Sequence, residues 1–203
     1  MKDQVKSQKM TLDDILNRLN RDFLRRKVPN LDEAAAQQIK WIYDHMIPLT
    51  VKSTEELLYD GLLIDTCFLL RGKIPKDSKI IITDGVILEI IQGCIFEKKE
   101  GHQVDYHHDL NNLIQLKTNR GENCIFISLN SRSRVCYPTS NIKYGLRRNV
   151  DSELLNISLK IYLKGRKIQV ATLDMRLANR YTRDHSEDVK DAIIYQPTAA
   201  ISA

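Results

Sequence analysis

No apolar run in this chain approaches the roughly 18 residues that a membrane-spanning helix needs. The opening stretch, MKDQVKSQKM, carries charges but no apolar core of a secretory leader. An intracellular protein is therefore expected, cytoplasmic or, in a eukaryote, nuclear, with no membrane contact. The four cysteines, Cys67, Cys94, Cys124 and Cys136, include no CxxC pair, which argues against a zinc ribbon and for buried free thiols. His107 and His108 are adjacent, so on a helix they diverge and make a poor chelating pair. There is no internal repeat and no low-complexity tract. No glycine-rich loop follows the first apolar strand of the alternating region, which disfavours a nucleotide-binding Rossmann enzyme.

What remains is a chain of 203 residues, 42% hydrophobic, long enough for one ordinary domain with a real core plus an appendage. Residues 1–56 read as a helical N-terminal extension. Leu12, Ile15, Leu16, Leu19 and Phe23 recur at helical spacing behind a capping-box-like Thr11 and Asp14. Pro29 and Asn30 end that helix, Asn30 caps a second through Glu33, and Pro48 closes it, with Ile39, Ile42, Tyr43 and Met46 on one face. Ser53 and Glu56 suit the start of a short third helix. Arg18, Arg21, Arg25, Arg26 and Lys27 give the first helix a basic side, read here as a solvated face. These helices offer a surface for a homodimer or a protein partner.

From residue 57 to 203 the pattern alternates. Strands are expected at 62–66, 80–83, 124–129, 168–172 and 192–195, and helices at 85–96, 105–117, 151–164 and 175–183. Apolar strands separated by helices of this length imply an α/β fold, a parallel sheet flanked by helices. Residues 97–103 and 129–141 read as loops.

Four acids punctuate this region. Asp65 interrupts GLLIDTCFLL near the end of a strand, and Glu89 lies within two helical turns of the strand KIIIT. Asp151 opens a helix, and Asp174 follows the strand IQVAT. Burying a bare carboxylate costs several kcal/mol unless a cation or hydrogen bonds offset it. In an open α/β sheet all four positions fall at the carboxyl edge of the strands, where ligands bind. Such an oxygen-rich cluster prefers Mg²⁺ or Mn²⁺ to zinc. Thr66 and Thr172 would support the ligating carboxylates through their hydroxyls, the plainer alternative being a strand-end hydroxyl satisfied by backbone. Asp84 and Glu153 read as a turn residue and a first-turn helix acid.

The net charge is +5, and its distribution matters more than its size. Between Ser131 and Val150 lie Arg132, Arg134, Lys143, Arg147 and Arg148, with Tyr137 and Tyr144 interleaved and no acid at all. Cations beside aromatic rings suit a phosphate backbone with stacking bases. The stretch runs directly into Asp151, which favours a nucleic-acid contact over a merely solubilising loop.

The segments LLIDTCFLL, IIITDGVILEI, VDSELLNIS and VATLDMRLA together resemble the four signature blocks of the PIN-domain ribonucleases, in order, over roughly residues 60–196. The matching positions are Asp65 with Thr66; Val86 leading to Glu89; Asp151 with Leu154, Leu155 and Ser158; and Thr172, Asp174 and Leu177. The resemblance implies endonucleolytic hydrolysis of RNA with Mg²⁺ or Mn²⁺, leaving a 5′-phosphate and a 3′-hydroxyl. It makes Asp65, Glu89, Asp151 and Asp174 both catalytic residues and metal ligands. Toxin-type members begin closer to the first acid, and ribosome-biogenesis members typically carry a zinc ribbon that is missing here. Two other readings stand beside it: a PIN-like RNA-binding or scaffold module that no longer cuts, and a structure-specific DNA nuclease.

Overall fold

The strands form where β-branched and aliphatic residues run together. In the computed structural model, which describes residues 11–22, 32–49, 61–96, 106–129, 150–180, 189 and 192–195, six of them make one sheet. They are β1 (Met46–Leu49), β2 (Gly61–Ile64), β3 (Lys79–Thr83), β4 (Cys124–Leu129), β5 (Ile168–Ala171) and β6 (Ile194–Tyr195). The order is β1-β4-β3-β2-β5-β6, and every neighbouring pair is parallel. β2 and β4 are buried at every position, as strands must be when helices cover both faces. The expected α/β architecture is thus the observed one.

Seven helices accompany the sheet among the described residues: α1 (Leu12–Asp22), α2 (Glu33–Asp44), α3 (Thr66–Arg71), α4 (Asp84–Phe96), α5 (Tyr106–Arg120), α6 (Val150–Tyr162) and α7 (Met175–Arg180). None of the described helices is long and apolar enough to cross a membrane.

The N-terminal stretch departs from its expectation in two ways, at the cap of its second helix and at Pro48. Its second helix is capped by Asp32, whose side chain accepts from the Ala35 N–H, while Asn30 lies outside the described residues. Pro48 does not close that helix, which already ends at Asp44; it sits inside β1, an edge strand where its missing N–H is tolerated. Ile15, Leu19, Ala35, Ile39 and Ile42, all fully buried, belong to the same core as Ile81 and Phe126 of the sheet. Residues 1–56 therefore contribute a strand as well as helices. The expected capping box at Thr11 and Asp14 is present, each side chain bonding the other's backbone N–H. Phe23 and residues 53–56, where the third helix was expected, lie outside the described residues.

Two details fix α6 and α3 in place. Ser158 Oγ on α6 lies 2.8 Å from the Ile168 carbonyl and 3.1 Å from the Ile193 carbonyl, tying the helix to the chain at β5 and β6. Gly72 ends α3 against Phe68, where a Cβ would lie 2.6 Å from the Phe68 carbonyl oxygen. His107 is half-buried on α5 and bridges to Asp32 and Gln38 beside α2, a packing role rather than a ligand's.

Candidate active site

Because all six strands are parallel, their carboxyl ends share one edge. From β2 the chain moves first to β3 and β4 on one side, and only later places β5 on the other. The strand order reverses between β2 and β5, the topological switch point at which ligands of open α/β sheets bind. Asp65 follows the last residue of β2, and Thr172, Leu173 and Asp174 follow the last residue of β5.

Asp65 is 5% exposed and serves as N-cap of α3. Its Oδ1 accepts the Thr66 N–H at 2.7 Å. Its Oδ2 accepts the Thr172 hydroxyl at 2.7 Å and the Cys67 thiol at 2.8 Å. Thr172 in turn accepts the Asp174 N–H at 2.9 Å, and the Leu173 N–H donates to Cys67 Sγ at 3.2 Å. The two strand exits are thereby knitted together around one carboxylate. On the other side, the Thr66 hydroxyl donates to Glu89 Oε2, which reaches in from α4. Both threonines thus bond carboxylates directly rather than resting on backbone carbonyls.

Glu89 is half-buried, and its carboxyl is pushed up to about 8 from 4.5. Burial is the largest cause, and the charges of Asp151, Asp65 and Glu153 act in the same direction, against the Thr66 hydrogen bond. Burial also raises the Cys67 thiol, with Asp65 adding to the effect. Asp65 and Asp151 are therefore each close enough for their charge to act on Glu89. Asp174 stands apart: it is exposed, its Oδ1 accepts the Arg176 N–H at 2.7 Å, and its carbonyl accepts the Ala178 N–H of α7. It is linked to Asp65 through Thr172 and not directly.

Two further acids belong to this edge, and the sequence reading undervalued both. Glu153 is 4% exposed and acts on Glu89, although it reads as an ordinary first-turn acid. Its place on the apolar face, between Val150, Leu154 and Ile157, was the available signal. Asp84 is not a turn residue but the first residue of α4, 1% exposed, with Ser128 Oγ, the Leu129 N–H and Arg18 around its carboxylate. It follows a buried strand just as Asp65 does.

The donor chemistry suits a hard divalent cation. The carboxyl groups offer oxygen donors, and Glu89 is raised first by burial and then by the charges of Asp151, Asp65 and Glu153. Among the described residues no three His, Cys, Asp or Glu side chains are already gathered as a metal-binding group, so Asp174 and Asp151 would have to close on Asp65 and Glu89. Arg132, Arg134, Lys143, Arg147 and Arg148 lie outside the described residues, between the end of β4 at Leu129 and the start of α6 at Val150. Comparisons of the chain with protein-family models, with curated proteins and with solved structures found no match.

Proposed function

We propose that this chain is a divalent-metal-dependent endoribonuclease of the PIN type, hydrolysing RNA phosphodiester bonds at the carboxyl edge of its sheet. The observation that carries the reading is Asp65: a buried carboxylate at the switch point, joined through Thr66 to Glu89 and through Thr172 to the Asp174 turn. A purely structural helix cap would not need a second acid held beside it at a raised pKa. Asp65 and Glu89, with Asp151 and Asp174, would hold Mg²⁺ or Mn²⁺, which when bound supplies positive charge facing the scissile phosphate and acidifies a water. Thr66 and Thr172 fix the carboxylates in orientation. Burial and the neighbouring acids favour a proton on Glu89 near neutral pH, and a cation held there would favour the carboxylate. Arg132, Arg134, Lys143, Arg147 and Arg148 supply backbone phosphate contacts on the chain entering Asp151.

Cleavage of a labelled structured RNA with Mn²⁺, Mg²⁺ or EDTA, comparing wild type with Asp174→Asn, tests this reading. Cutting that requires metal and disappears in the variant is expected. Tight RNA binding with no cutting by either protein would favour the binding module. Equal cutting by both would remove the four-acid site, and a preference for matched DNA would favour the structure-specific DNA nuclease.

A further inference from the structure

The acidic edge described above repels the very polyanion it is proposed to cut, so a cation must stand beside it. Among the described residues, Arg18 does. Ile15 and Leu19 are fully buried and set the rotation of α1, which brings Arg18 to the flank of the packed face instead of the solvent side. Its Nη2 lies 3.6 Å from Asp84 Oδ2, and its side chain keeps 22% of its surface exposed. Asp84 follows β3 directly. The register pairs Leu63 with Ile81 on a strand about 4.8 Å away; continued to the strand ends it sets Asp65 level with Thr83, and Asp84 follows as the first residue of α4. The guanidinium is therefore held close to the proposed site, on its β3–β4 side.

A guanidinium has five N–H donors, and an ion pair at 3.6 Å is too long to be a hydrogen bond. Lys117 and Arg120 are engaged differently. Lys117 Nζ donates to the Gly121 and Cys124 carbonyls, and Arg120 donates to those of Ile74, Pro75 and Ser78. Those contacts lie by the starts of β3 and β4, at the opposite edge of the sheet.

Resting on the nuclease reading, we infer that Arg18 is a substrate contact: Asp84 holds it over the β3–β4 side of the catalytic edge, where it binds a backbone phosphate of a single-stranded RNA. Helix α1 then forms one wall of the substrate path, and the N-terminal segment takes part in binding.

Affinity of the full chain for a short labelled oligouridylate, measured in EDTA across a salt series, separates binding from cutting. Arg18→Gln should weaken binding roughly threefold to tenfold at low salt and reduce the salt slope by about 0.7, the share of one phosphate contact on a single strand. Arg18→Lys, which keeps the charge, should keep most of the slope. Asp84→Asn, which breaks the ion pair but leaves the guanidinium charged, should keep more of the salt slope than Arg18→Gln does. If Arg18→Gln leaves affinity and slope unchanged, whether or not it lowers thermal stability, Arg18 is only a clasp for α1 and the inference falls. The nuclease reading fails separately: wild type that binds through Arg18 yet cuts nothing with Mn²⁺ would retain this contact and lose the catalysis.

Discussion

Thr66 and Thr172 perform matching tasks on opposite sides of Asp65, each using one hydroxyl to connect a carboxylate to a neighbouring segment. Glu89 shows what that crowding does to a carboxyl. It titrates near 4.5 in an unfolded chain and near 8 in the metal-free fold. Between those values the folded protein keeps a proton that the unfolded chain has released. Its contribution to stability therefore falls as pH rises through the window, by at most about 1.4 kcal/mol per pH unit. Urea denaturation in EDTA across this range should show the decline in wild type and not in Glu89→Gln. Parallel pH profiles for the two proteins would contradict the account. Asp65 and Asp174 were legible because a carboxylate at the exit of an apolar strand is anomalous in any sequence, and Glu89 and Asp151 because they lie near the starts of helices. Glu153 was not singled out, because acids are ordinary in a first helical turn and its burial comes from what packs on it.

The elements differ in how openly the sequence announces them. KIIIT and CIFISL are unmistakable strands, since a strand covered on both faces must be apolar at nearly every position. β1 was read as the end of a helix because an edge strand lacks that signature: Ile47 and Pro48 are exposed, and only Leu49 is fully packed. α3 was hidden inside GLLIDTCFLL, where strand and helix are equally apolar and only the Asp65 cap divides them. Ser158, read as a small residue in the third block, proves to be a tie between α6 and two carbonyls near the sheet. Ser158→Ala leaves those buried carbonyls without the hydroxyl and should cost about 1–3 kcal/mol in chemical denaturation. A change within a few tenths of a kcal/mol would mean that the two carbonyls are satisfied without it.

Among the described residues Asp65, Asp84, Glu89, Asp151, Glu153 and Asp174 lie along the carboxyl edge of the sheet, while the chain as a whole carries a net +5. The acid-free stretch from Ser131 to Val150 connects β4 to α6 in the chain, and under the proposed function it would supply the electrostatic contacts to RNA. Replacing Arg147 and Arg148 together by Glu should weaken RNA binding and flatten its salt dependence, by roughly 0.7 for each phosphate no longer neutralised. Unchanged affinity and slope would remove the basic stretch from the interface. The sequence by itself determined the fold class, the strands of the sheet's interior and the acids at their ends. Those features rest on local periodicity and on the cost of putting carboxylates into apolar runs. Only the tertiary structure decided that Met46–Leu49 joins the sheet, that Asp65 is the hub with Asp174 at one remove, and that Arg18 is drawn from a solvated face to a buried Asp84. Each of these depends on strand order and on contacts between segments far apart in the chain, which no local pattern of residues encodes.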